Sequence, residues 1–216
     1  IELDPKMDKA YNARGIYQAS QKKIKQAIDS FSKAIALNPT DSDYFKHRSS
    51  AYFHLGNYQS SLNDIERVIE LEPRDSEPLA LKAGLYEKIN RPEEALEYFG
   101  KALDKEPGKF RYHFQRANLA LKLKKYDLAI SDFTKILEAN PMDDEALKKR
   151  GDVYFLLGEY EKALQDYDEA IKLYPQSASN FHGRSRIHKK MGNLDKAQED
   201  EERARELDKA PAIKRI

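Results

Sequence analysis

Six of the nine prolines, Pro5, Pro39, Pro73, Pro107, Pro141 and Pro175, follow one another at intervals of 34 residues along a chain of 216. A period of that size, held without slippage, marks one supersecondary unit copied in tandem. A single copy is too small to bury its own apolar face and has to stack on the next. With the proline as position 32, the copies run 8–41, 42–75, 76–109, 110–143, 144–177 and 178–211. Residues 1–7 then read as the end of a preceding, truncated copy, and 212–216 as a C-terminal tail.

The other positions fall into register with the proline. Position 20 holds Ala27, Ser61, Ala95, Ala129, Ala163 and Ala197, small residues where two helices must come close. Position 24 holds Phe31, Ile65, Phe99, Phe133 and Tyr167, and position 27 holds Ala34, Val68, Ala102, Ile136, Ala170 and Ala204. Together they make an i, i+4, i+7 apolar stripe along a second helix. In the first helix, position 8 is small throughout (Gly15, Ser49, Ala83, Ala117, Gly151, Ser185) and position 11 is often aromatic (Tyr52, Tyr86, Tyr154). Position 15 carries Gly56, Gly158 and Gly192, with Asn90 in the third copy. These residues tolerate the left-handed backbone that ends one helix and turns into the next. Each copy is therefore helix A, a tight turn and helix B, and the proline precludes a straight continuation into the following copy.

These residues resemble the tetratricopeptide signature, most completely in the fifth copy, where Gly151, Tyr154, Ala163, Tyr167 and Pro175 stand in order. The resemblance covers almost the whole chain. It implies an all-α fold, a right-handed superhelical solenoid of antiparallel helix pairs, and a role in holding another protein. It also implies a concave face lined by A helices, with positions 2, 5, 9 and 12 turned toward a peptide or helical segment of the partner. The groove residues so assigned include Lys46, Ser50 and Phe53 in the second copy, Arg111, Phe114, Asn118 and Leu121 in the fourth, Lys148, Asp152 and Phe155 in the fifth, and His182, Arg186 and Lys189 in the sixth. Phe53, Phe114, Leu121 and Phe155 are candidate apolar anchors beside Asn118, whose amide can pair with peptide backbone. His182, Arg184, Arg186, His188, Lys189 and Lys190 make the sixth A helix basic, so an acidic segment is a candidate partner there. The carboxylate clamp that some members use on chaperone tails is poorly matched. Its best frame supplies Lys46, Ser50, Leu81, Arg111 and Gln115, and the leucine has nothing to donate.

Composition narrows the function from the other side. Lys plus Arg number 38 against 37 Asp plus Glu, so no bulk field recruits nucleic acid. There is no cysteine, which removes disulfides and thiolate chemistry. No apolar run is long enough to span a membrane, and no leader opens the sequence, so a cytoplasmic setting is the expectation while the compartment stays open. The five histidines form no ligand motif; His47 and His54 are seven apart on one helix, not the three or four of a helical metal pair. No phosphate-cradling glycine loop or nucleophile elbow occurs, so neither an enzyme nor a cofactor is expected.

The reading is an interaction scaffold. The alternative is a recruiting domain of a larger enzyme or co-chaperone, and self-association through an exposed end is a further possibility. In the sixth copy Glu201 takes the large apolar slot within the run Glu199, Asp200, Glu201, Glu202, the polar outer face expected of a capping repeat.

Overall fold

The computed structural model describes residues 7–209. It shows α1 (Asp8–Ser20), α2 (Ile24–Leu37), α3 (Ser42–His54), α4 (Tyr58–Leu71), α5 (Glu77–Lys88), α6 (Pro92–Lys105), α7 (Phe110–Lys122), α8 (Tyr126–Ala139), α9 (Asp144–Leu157), α10 (Tyr160–Leu173), α11 (Ala178–Lys190) and α12 (Leu194–Lys209). The described residues contain no strand, and the fold is an all-α helical repeat. The expected end of a preceding copy, apart from Met7, and the expected tail at 212–216 lie outside the described residues. The chain divides into two compact units, one ending at Tyr112 and the other beginning at His113.

Local chemistry starts and stops these helices. Asp41, Asn57 and Asp143 cap α3, α4 and α9 by accepting backbone N–H bonds from Asp43, Ser60 and Ala146. Pro78 and Pro92 sit in the first turns of α5 and α6, where no helical N–H is lost. The turns from A to B helix use left-handed backbone at Gly56 (φ 78°), Gly158 and Gly192 (both 79°) and Asn90 (59°). Lys22 (φ 59°) and Lys124 (58°) occupy the same position in the first and fourth copies. A lysine there is not foreshadowed by backbone preference, since its Cβ is strained in that region.

Successive helices pack in chain order from α1 to α6 in the first unit and from α8 to α12 in the second. The B-helix stripe is the core: Ala27, Phe31 and Ala34 in α2, Ala95, Phe99 and Ala102 in α6, and Ala163, Tyr167 and Ala170 in α10 are all buried. Removing each of these large side chains from water stabilises the fold by about 1.5–3 kcal/mol. The small position-8 residues make room for them. A Cβ added to Gly15 would lie 2.5 Å from Phe31 Cε1, and one added to Gly151 would lie 3.1 Å from the Tyr167 ring.

A polar ladder runs beside this apolar seam. Position 7 carries Arg48, Arg116, Arg150 and Arg184, and position 23 carries Asp64, Asp132, Asp166 and Asp200. Each arginine grips the aspartate of its own copy through Nε and Nη2, at 2.6–2.9 Å. The aspartates are buried, so two charge-assisted bonds offset part of the desolvation cost. The third guanidinium nitrogen reaches the preceding copy, from Arg48 to Ser32 Oγ (3.0 Å), Arg150 to Thr134 Oγ1 (3.1 Å) and Arg184 to Asp168 Oδ1 (2.7 Å). In the third copy Lys82 does the same toward Glu66 at 2.8 Å. The ladder thus joins A to B helix within a copy and one copy to the next.

Candidate partner-binding surface

In the second unit, the A helices α9 and α11 lie side by side and leave an open cleft of about 780 Å³ between them. Asp144, Glu145, Lys148, Lys149 and Asp152 line it from α9, and Ser179, His182, Gly183 and Arg186 from α11. Tyr167 enters from α10 because Gly183 lets it. A Cβ at residue 183 would collide with Tyr167 Cε1, so the ring passes between the A helices only where no side chain opposes it. Its hydroxyl donates to Asp152 Oδ1 at 2.9 Å. Burial, followed by the Asp152 charge, holds that phenol well above its usual range, so it remains a donor. Arg186 pairs with the same Asp152 oxygen, and its guanidinium lies 4.4 Å from the centroid of the Phe155 ring. Lys148 pairs with Asp144 at 2.7 Å. The cleft therefore has fixed walls bearing both signs of charge.

The tetratricopeptide repeat profile matches residues 8–41, 48–113 and 114–178. The chain belongs to the tetratricopeptide repeat family. Among solved structures, MamA from Desulfovibrio magneticus RS-1 superposes with a TM-score of 0.70 at 20% identity, over 79% of this chain and 97% of that one. A second MamA crystal structure gives 0.71 at 18% identity, over 81% and 96%. YrrB, described as a tetratricopeptide protein with an unusual peptide-binding site, gives 0.68 at 20%, over 85% and 95%. At these identities the likeness speaks for the fold. No curated protein matches the sequence.

The tetratricopeptide groove positions meet different surroundings. Lys148, Asp152, His182 and Arg186 come together in the α9–α11 cleft. Phe155 stands beside it, half-buried against Tyr160 at 5.7 Å between ring centroids. Phe114 is half-buried edge-on to the core residue Phe133, Leu121 is half-buried, and the Asn118 amide donates to the Phe114 carbonyl at 2.9 Å. That donor is engaged within its own helix. In the first unit Lys46 is tied to Glu72 at 2.7 Å, Ser50 is exposed, and Phe53 is exposed with its edge toward Tyr58. Bonds from Lys46 and from Ser42 hold the Glu72 carboxyl below its usual range. Arg111 lies over its neighbour Tyr112. Leu81, in an asparagine place of the carboxylate clamp, is an exposed apolar residue. His47 is bonded to Asn12 at 2.9 Å and stacked on Phe31. No cluster of three or more metal-ligating side chains occurs among the described residues.

Most of the charge on the basic α11 is paired from within. Arg184 bonds Asp200 and Asp168, Arg186 pairs with Asp152, Lys189 with Glu201, and His182 with Asp208. His188 is buried. The partners come from α9, α10 and α12, so helix charge alone overstates the field that α11 presents.

Sequence reasoning passed over Tyr167 and Gly183 as cleft residues and passed over the arginine ladder altogether. A signal existed for both. Gly183 stands where the other copies carry Ala13, His47, Leu81, Gln115 and Lys149, and the Arg and Asp positions repeat in register with the prolines.

Proposed function

We propose that this protein is an interaction scaffold that holds an extended or helical segment of a partner against its A-helix face, with the α9–α11 cleft as a principal seat. The observation that carries this reading is the cleft itself. Four groove residues, Lys148, Asp152, His182 and Arg186, gather there around the Tyr167 hydroxyl, in a site whose walls are fixed by ion pairs and packing. Preorganisation of that kind lowers the entropic cost of holding a flexible segment. The peptide-binding site of YrrB supports the same use of the fold. Mixed charge in the cleft, from Glu145 and Lys149 as well as the paired residues, favours a segment bearing both acidic and basic side chains. The reading assigns no catalytic step to any residue.

Site-specific photo-crosslinking tests it. A photoreactive residue replacing His182 in the cleft is expected to capture a partner, and one replacing Gln165, exposed on α10, is not. Capture from position 165 with none from 182 would place the partner on the B-helix side and overturn the assignment.

A further inference from the structure

The α7–α8 turn is built from residues that its backbone does not favour. Lys124 adopts φ 58°, where the corresponding turns of the same unit use Gly158 and Gly192. A lysine in left-handed backbone is strained, and such strain is often kept where the side chain has a task. Lys125 follows directly, and neither lysine forms an ion pair within the described residues. Arg184, Arg186 and Lys189 of α11, by contrast, are each paired with a carboxylate. Beside them opens a cleft of about 400 Å³, lined by Lys124, Lys125, Tyr126, Asp127, Leu128 and Leu157. Leu157 is 40% exposed and its neighbour Leu156 56% exposed, so apolar surface continues along this edge. Cations without an internal ion pair, beside a recess of mixed lining to which Tyr126, Leu128 and Leu157 contribute apolar surface, form a two-part recognition surface.

We propose that this edge is a second docking site, separate from the A-helix face, for an acidic stretch of another protein that carries one apolar side chain. The apolar group enters between Tyr126, Leu128 and Leu157, and flanking carboxylates pair with Lys124 and Lys125. A discrete acidic peptide suits the site better than a nucleic acid or an anionic membrane. The chain as a whole carries a net charge of only +1, which supplies no extended field for a continuous phosphate array, whereas two adjacent lysines suffice for two carboxylates.

The test is fluorescence anisotropy of the intact chain with a labelled peptide of glutamates around one central leucine. Two control peptides replace the leucine with serine, or the glutamates with lysines. The first peptide is expected to bind, more weakly as salt rises, and the controls are not. Lys124→Gly is expected to weaken binding by about threefold, and Lys124→Gly with Lys125→Ser by about tenfold. Because glycine relieves the turn, the melting temperature of Lys124→Gly should hold or rise by a few degrees, on the order of 2–4 °C. A lysine that served only the fold would not trade affinity for stability in this way. Lys22→Gly, which relieves the same backbone strain at the α1–α2 turn, is expected to leave peptide binding unchanged. Affinity of Lys124→Gly and of the double variant equal to that of the unaltered chain would overturn the proposal. So would an equal loss with Lys22→Gly, or displacement of the peptide by phosphatidylserine vesicles or duplex DNA with the same lysine dependence.

Discussion

A methyl group added at Gly15 meets Phe31 Cε1 at 2.5 Å, whereas one added at Gly84 has nothing within 4 Å. Both glycines lie inside A helices, where alanine is intrinsically better by about 0.5–1 kcal/mol. Gly84→Ala should therefore stabilise the protein by that amount. Gly15→Ala gains the same backbone term but pushes on a ring that is itself buried on all sides, an overpacking cost of about 1–3 kcal/mol. The net expectation is a loss of about 1–2 kcal/mol. Urea midpoints at unchanged m-value distinguish the two, and equal shifts would show that the α1–α2 approach is looser than drawn. Gly183 belongs with Gly15, because the space it leaves is filled by the Tyr167 ring that reaches the cleft.

Between elements, the arginine ladder does what apolar packing does not: it fixes which charged groups face each other. Asp166 is buried beneath Arg150, and burial pushes its carboxyl upward against the pull of the guanidinium. Removing one partner strands the other. Asp166→Ala should destabilise by about 2–3 kcal/mol, the value of a charge-assisted bond plus an unpaired, partly buried cation. Replacing both, Arg150→Met with Asp166→Leu, should recover most of that loss, since an apolar pair of similar volume carries no desolvation cost. Thermal melts of the two variants decide the matter. A double variant no better than the single would mean that the Arg150 bond to Thr134 in the preceding copy matters more than the pair itself.

At the scale of the whole molecule, acid should unfold the protein in two stages. His188 is buried among Asp200, Arg184, Lys196 and Asp168, and desolvation holds its imidazole below the ordinary value of about 6.5. Its Nδ1 is buried with no hydrogen-bond partner among the described residues. The folded state binds the proton less readily than the unfolded one, so this contribution is complete above about pH 6.5 and is lost as pH falls below it. Asp8, Glu72, Glu106 and Glu201 are held below the carboxylate range by hydrogen bonds from Asn38, Lys46, Ser76 and Lys189. Their contribution is complete above the ordinary carboxylate range and disappears as pH falls through the depressed values, while the raised Asp166 acts in the opposite sense. Melting temperature against pH should begin to fall below about pH 6.5, ahead of the main acid loss, and show a shoulder there. His188→Leu should remove the shoulder alone; a shoulder that survives would assign it elsewhere.

Sequence alone determined whatever repeats every 34 residues: the all-α class, the helix pairs, the small and large core positions and the glycine turns. Those features rest on backbone preference and apolar periodicity, which are local and can be read along the chain. The arginine ladder was legible by the same device, had polar positions been aligned as the apolar ones were. Tertiary structure alone decided the fate of the charges. Arg186 meets Asp152 from 34 residues away, and Lys189 meets Glu201 from 12 away, so much of the charge that makes α11 basic in sequence is paired in context. It also decided that Tyr167 emerges beside Gly183. Side-chain pairing depends on how helices distant in sequence are set against each other, and no spacing within one helix contains that distance.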